Sequence, residues 1–359
     1  MRIVRLANFV TPSSGGLRTC LRELGAGYLA AGHEPVLVIP GDRDGDEQTS
    51  QGRVITLRGP RVPFTGGYRV LLHKRRVAAL LDGIRPDSLE VSDRTTLRWT
   101  GRWAAERGIP AVMVSHESLA ALAPAIADAL NRRTTRSYDR VVCTTAWSAR
   151  EFERIGAGNL GHAPLGVDLG TFHPARRAEH ADIRLVHCGR LSPEKKPGRS
   201  LTTLATLRAQ GLPVAMIMAG DGPLRRRLER RAADEGLPVE FPGFVSGRTA
   251  LAGLLADADV VLAPGPAETF GLAALEALAC GTPVVVSAES ALPEVIGGAG
   301  ASVAGEDLAA GVREVLARPE AARRKAARER AELFGWQAAV SAFLTIHEGI
   351  RHDQVRSTR

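Results

Sequence analysis

Twelve short runs rich in Val, Ile, Leu and Ala recur along the chain, and helix-patterned segments separate them. In the first half they fall at 2–7, 35–39, 53–57, 88–91, 111–114 and 140–143. In the second half they fall at 183–188, 213–219, 239–241, 259–263, 283–287 and 301–303. Strands that alternate with helices are joined by crossovers, and crossovers make parallel sheets covered on both faces. Two such sets within 359 residues predict two domains. Hydrophobic residues at 44% suffice for two cores, and 38 Gly with 21 Pro suit many tight connections.

The chemistry concentrates at 264–286, PGPAETFGLAALEALACGTPVVV. The strand 259–263 runs into a Pro/Gly turn that carries Glu268. A helix is expected from near Thr269, with Leu272, Leu275 and Leu278 on its apolar side, stopped by Gly281 and Pro283. Ligands of open α/β sheets sit outside the carboxyl ends of strands, and a helix N-terminus favours an anion. Glu268 and Glu276 therefore flank a phosphate seat with two carboxylates able to accept bonds from sugar hydroxyls. Read blandly, Glu268 caps the helix and Glu276 faces solvent. A glycoside-hydrolase pair would flank one bond about 5 to 10 Å apart. Eight helical residues rise roughly 12 Å, which favours two ends of one ligand.

Four stretches in the second half resemble retaining glycosyltransferases of family 4. They are Glu268 to Glu276 as a Glu-x7-Glu motif, Cys188 to Lys195 (CGRLSPEK), Ala219 to Leu224 (AGDGPL) and Cys280 to Val285 (CGTPVV). In the first half, Ala7-Asn8-Phe9, Ser14 to Thr19, Pro63 to Arg69, Glu90 to Arg94 and Ser115-His116-Glu117 resemble actinobacterial GDP-mannose-dependent α-mannosyltransferases acting on phosphatidylinositol mannosides. The resemblance implies an α/β protein of GT-B fold, two Rossmann-like parallel-sheet domains facing a cleft. The domains would span 1–168 on the acceptor side and 169–336 on the donor side, with a last helix at about 337–359 returning to the first. A linker with the family's Gly-Val-Asp…Phe…Pro pattern falls at Gly166 to Pro174.

The same resemblance assigns roles. Arg190 and Lys195 would hold the donor diphosphate, helped by Gly16 and the backbone of Phe270, Gly271 and Leu272. Glu268 would bind sugar hydroxyls, Glu276 the ribose, and Gly243, Phe244 and Val245 the base. Nothing in those three residues alone distinguishes guanine from uracil. His116, at a strand end, would contact the transferred sugar or orient the acceptor hydroxyl. Gly15, Tyr68, Arg69 and Asp93 complete the acceptor side. The implied reaction moves mannose from GDP-mannose to a phosphatidylinositol mannoside with retention, α-1,6 being the expected linkage. Another lipid or secondary-metabolite acceptor with another nucleotide sugar is the alternative, and an inactive sugar-nucleotide-binding subunit is a third reading.

The net charge is +8, and Arg58, Arg61, Arg69, Lys74, Arg75 and Arg76 fall in a segment free of acids. With Val70, Leu71, Leu72, Val77, Leu80 and Leu81 interleaved, the segment is expected on an anionic membrane face. A solvated helix is the plain alternative. Aromatics at 4%, not interleaved with the basic residues, argue against nucleic acid. No apolar run approaches the roughly 20 residues of a membrane span. The N-terminus opens directly as a strand, so a cytoplasmic protein on the inner face of the plasma membrane is expected. Cys20, Cys143, Cys188 and Cys280 lack metal or disulfide spacing and read as buried thiols. Asp42-Arg43-Asp44 and Asp257-Ala258-Asp259 have a DxD spelling, but their places in a polar loop and at a helix–strand junction lead us to expect no metal and no cofactor beyond the donor.

Overall fold

The computed structural model describes residues 1–10, 15–62, 67–116, 118–119, 123–175, 178 and 180–357. It divides into two compact units, Met1–Gly166 with Trp336–Arg359, and Val167–Gly335. Ser14, Pro63 to Gly66 and Glu117, quoted for the resemblance above, lie outside the described residues.

The first unit contains β1 (Arg2–Leu6), α1 (Gly16–Ala30), β2 (Glu34–Gly41), β3 (Gly45–Thr49), β4 (Gly52–Arg58), α2 (Lys74–Ile84), β5 (Ser88–Val91), α3 (Trp99–Ala105), β6 (Ala111–Ser115), α4 (Pro124–Thr135), β7 (Arg140–Cys143), α5 (Ala146–Glu153) and β8 (Leu160–His162). Its sheet has the order β3-β4-β2-β1-β5-β6-β7-β8, parallel except for β3 against β4. The second unit contains β9 (Ile183–Cys188), α6 (Pro197–Ala209), β10 (Val214–Ala219), α7 (Arg225–Asp234), β11 (Val239–Gly243), α8 (Arg248–Asp257), β12 (Val260–Ala263), α9 (Leu272–Ala279), β13 (Val284–Ser287), α10 (Leu292–Ile296), β14 (Gly300–Val303), α11 (Ala309–Leu316) and α12 (Glu320–Glu332). Its sheet, β11-β10-β9-β12-β13-β14, pairs in parallel throughout. Helix α13 (Trp336–Ser357) is last in sequence but joins the first unit.

Counted along the chain, the second sheet has the doubly wound order 3-2-1-4-5-6, and the first, once β3 is set aside, has the same order with β8 added as a seventh strand. Each sheet therefore has a point where the winding reverses, between β1 and β5 and between β9 and β12, and such a point leaves a crevice for a ligand. The apolar runs mark the buried strands. Val4, Leu6, Val38, Leu89, Val91 and Met113 fill one core, and Leu185, Met216, Met218, Val260, Leu262 and Val285 the other.

Three sequence expectations are corrected. Strand β3 falls outside the twelve expected runs, because its exposed acids make a polar sheet edge, which discourages pairing with another chain. Helix α9 begins at Leu272 rather than near Thr269, because Gly271 takes a left-handed conformation (φ 78°) immediately before it. The Arg- and Ala-rich segment 317–330, which from its composition is expected to be a solvated helix, is more than that. Ala327 and Ala331 of α12 are fully buried, and Arg324, Arg328 and Arg330 donate to carbonyls of Ala256, Ala279 and Val295 near the ends of α8, α9 and α10.

Candidate functional site

In the second unit, the turn after β9 carries Arg190 and Lys195, and the turn after β12 carries Glu268. These strands are neighbours at the winding reversal, so residues 73 apart in sequence meet. The Lys195 ammonium bonds to the Glu268 carboxylate, with side chains 35% and 19% exposed. Arg190 is half-buried one residue past Gly189. The Glu276 carboxylate lies near the end of β9: burial pushes the Cys188 thiol up to about 12, and Glu276 adds to the shift. Similarly, His187, one residue earlier, is driven down to about 4 by burial and then by the Lys195 charge. Two cationic side chains and two carboxylates thus gather at one strand end.

Local sequence explains the placement. A Cβ on Gly271 would lie 2.2 Å from Leu292 Cδ2, so only glycine turns the chain into α9 here. The Ala291 N–H bonds the Glu268 carbonyl at 2.9 Å. Phe270 is 3% exposed and meets the Phe334 ring edge-on, so its ring is spent on packing and only its backbone is available to a ligand. The Ala219 to Leu224 motif supports the Arg190 turn: Leu191 N–H bonds Asp221 O and Leu224 N–H bonds Leu191 O. Gly243 ends β11 and Phe244 and Val245 follow it, two strands from β9, or about 10 Å across the sheet. Phe244 is 54% exposed there, and Arg225 braces the strand by donating to Phe241 O at 2.9 Å.

In the first unit, Gly15 and Gly16 are exposed where α1 begins, Asp93 follows β5 and His116 follows β6. Asp93 has an internal role rather than an exposed one. It is 1% exposed, and its oxygens accept from Asn8 Nδ2 (2.8 Å) and from the N–H and hydroxyl groups of Thr95 and Thr96. Asn8, quoted above only within a motif, is the centre of this cluster, since its Oδ1 also accepts from Leu71 N–H at 2.8 Å. A polar residue at a strand end was the available signal. Nε2 of His116 is fully buried although the residue keeps some exposure. Burial drives His116 to about 4, with Glu90 opposing and Arg5 assisting, so it is neutral at pH 7.

Tyr68 stacks edge-on against Phe9 at 6.0 Å. Arg69 is not left over for a headgroup, because its guanidinium donates to Gly59 O and to the Asp42 carboxylate. The basic segment is likewise not free of acids in three dimensions. Asp42 also pairs with Arg61, and Asp44 takes the Arg76 guanidinium and the Arg58 N–H. Val70, Leu71, Val77 and Leu81 are buried in the protein core, which explains the amphipathic pattern without a membrane. Leu72 remains 52% exposed beside His73, Lys74 and Arg75. The second DxD is also engaged internally, Asp257 with His180 and Arg184, and Asp259 with the Arg184 N–H and Arg323. Among the described residues no helix is long and apolar enough to cross a membrane.

The family model for "Glycosyl transferases group 1" matches residues 171–333, and that for a "Glycosyl transferase 4-like domain" matches 15–163. A Mycobacterium tuberculosis enzyme named GDP-mannose-dependent alpha-(1-6)-phosphatidylinositol dimannoside mannosyltransferase is 52% identical, over 96% of this chain and 95% of its own. Among solved structures, sucrose-phosphate synthase of Thermosynechococcus elongatus superposes with a TM-score of 0.80 at 22% identity, covering 97% of this chain and 98% of that one. Anabaena HepE, crystallised with UDP and glucose, gives 0.76 at 19% identity with the same coverage. With both sheets wound alike and both halves matched, the chain belongs to the group 1 and 4-like glycosyltransferases and is a GT-B glycosyltransferase.

Proposed function

We propose that this glycosyltransferase moves mannose from GDP-mannose to a phosphatidylinositol mannoside, with retention at the anomeric carbon and an α-1,6 linkage. The 52% identity to an enzyme of that name supports the donor and the acceptor class. The observation that carries the donor side is the Lys195–Glu268 pair at the winding reversal of the second sheet.

Breaking the bond between the sugar and the diphosphate builds negative charge on the leaving group. Arg190 offers a bidentate fork and Lys195 a point charge to that oxygen array. The amino end of α9 adds its first N–H groups. When the diphosphate engages Lys195, Glu268 is released to accept bonds from mannose hydroxyls. Glu276 binds the ribose, and Gly243, Phe244 and Val245 take the base. On the other unit, neutral His116 hydrogen-bonds the sugar or the acceptor hydroxyl without adding charge. The acceptor oxygen attacks from the face the diphosphate leaves, and the departing phosphate oxygen takes its proton, so configuration is retained without a protein nucleophile. No metal is assigned, since both DxD pairs are engaged by protein groups. Leu72, Lys74 and Arg75 would face an anionic membrane from the cytoplasmic side.

The test is one assay with labelled GDP-mannose, UDP-glucose and UDP-N-acetylglucosamine, each with and without phosphatidylinositol dimannoside. Label entering a trimannoside from GDP-mannose alone is expected. Turnover of GDP-mannose without lipid labelling would overturn the acceptor, and transfer from a uridine donor only would overturn the donor.

A further inference from the structure

Arg199 stands in the first turn of α6, just beyond the turn that carries Lys195. Its side chain is 7% exposed. Nη1 donates to Pro264 O at 3.2 Å, and Nη2 bonds Glu306 Oε1 at 2.5 Å. Glu289 Oε2 lies 3.7 Å from Nη1. Pro264 follows β12, Glu289 follows β13 and Glu306 follows β14. One guanidinium therefore ties three successive loops to the helix that follows β9, all at the carboxyl ends of the strands.

The two acids are 54% and 71% exposed, so water screens their pull. The carbonyl contact is the buried one, and it falls four residues before Glu268. The next residue, Gly265, shows how closely the loop is seated. A Cβ there would lie 3.2 Å from both Glu194 O and Lys195 Cα, so the 264–268 loop rests directly on the Pro193–Lys195 turn.

We propose that Arg199 is a positioning residue for glycosyl transfer: it presses the 264–268 loop onto the Lys195 turn and so fixes Glu268 where the sugar is held. This rests on the donor reading of Lys195 and Glu268. A planar fork suits the task because it reaches the carbonyl and a carboxylate from one rigid group. Lysine offers a point charge on a mobile stem.

The test separates rate from nucleotide affinity in the full-length chain. A displacement of about 1 Å costs roughly 100-fold in rate, so Arg199→Ala is expected to lower kcat for GDP-mannose by about that factor. Affinity for GDP alone should stay within about threefold, since Glu268 does not touch the nucleotide in this reading. Added guanidinium ion, well below denaturing concentration, should restore part of the rate. Arg199→Lys should remain about tenfold below the parent. A parental kcat in Arg199→Ala overturns the proposal. So does an equal fall of kcat and GDP affinity without guanidinium rescue, the pattern of a generally disordered site. If the alanine variant does not fold, Arg199→Lys, checked by thermal melting, decides the same comparison. Glu268→Ala keeps the two readings apart. Full activity in that variant refutes the donor seat, whereas a dead Glu268→Ala beside a fully active Arg199→Ala refutes only Arg199.

Discussion

The two units wind their sheets in the same order yet fill them differently. The second packs Leu185, Leu262, Val285 and their neighbours at its centre and keeps the Lys195–Glu268 pair in loops at the strand ends. The first buries charge within the sheet. Arg5 on β1 meets Glu90 on β5 at 3.1 Å, each side chain 1% exposed. Tyr28 OH donates to Glu90 at 2.8 Å, and His347 bridges Glu90 and Ser88. Burial opposes the Glu90 charge, but Arg5, His347 and Tyr28 together hold its carboxyl at about 2. The lesson is that one winding tolerates two ways of spending polar residues. Where charge stays in loops, a polar motif reads as a ligand site. Where charge is also structural, the same spelling is ambiguous.

The sharpest way to break this contrast is Glu268→Ala. Transfer should fall by about a thousandfold, roughly 4 kcal/mol of transition-state stabilisation, with thermal melting little changed. Near-parental turnover would show that loop charge in the second unit is not reserved for chemistry. Glu90→Ala probes the other unit, where removing one partner leaves Arg5 buried and uncompensated. A loss of about 3–5 kcal/mol in urea unfolding is expected, and a loss under about 1 kcal/mol would reduce the cluster to ordinary surface pairing.

A pH series compares both units at once. His116 and His187 sit near 4, against an ordinary value near 6.5, so folding favours their neutral forms. The unfolded chain binds the extra protons, so their stability is whole above about pH 6.5 and is lost as pH falls through 4. Each is worth at most about 3 kcal/mol. Glu90 adds a further loss between its ordinary value and about 2. Urea midpoints at pH 7 and 4.5 should therefore differ, and His187→Gln should narrow the gap; an unchanged gap would remove His187 from the account. Smaller again, Arg190→Ala should weaken GDP binding by about 10- to 100-fold in calorimetry, and an unchanged affinity would take Arg190 off the diphosphate. Least of all, Lys74→Gln with Arg75→Gln should weaken binding to anionic vesicles by about 1 kcal/mol per charge, and unaltered sedimentation would make α2 a solvated helix.

Legibility followed the same divide. The twelve apolar runs were enough for the fold class, because buried parallel strands are nearly continuous in Val, Leu and Ile. Glu268 stood out because it lies in a Pro/Gly turn at a strand's carboxyl end, whereas Arg190 and Lys195 were named only by the family resemblance; the closeness of their loops shows in Gly265, where a Cβ would lie 3.2 Å from Glu194 O and Lys195 Cα. Arg69 and Asp93 misled because a polar residue beside a strand end has the same spelling whether it faces a ligand or a neighbour. Their partners Asp42 and Asn8 are distant in sequence, and no local pattern names them. Arg5, Glu90 and His347 were silent for the same reason, since 257 residues separate Glu90 from His347.

The return of α13 has a consequence for how this chain is made. Val340 of α13 fits against Gly27 of α1, where a Cβ would stand 2.2 Å away, and His347 completes the cover over Glu90. The second unit has all its residues once Gly335 has emerged from the ribosome, and Val167 N–H to Phe334 O at 2.8 Å can then clasp its two ends. The first unit, although begun first, waits with a half-covered charged pair until residues 336–351 arrive. A nascent chain paused in that interval would offer a finished second unit and an unfinished first, making the oldest part of the polypeptide the one a chaperone must guard longest.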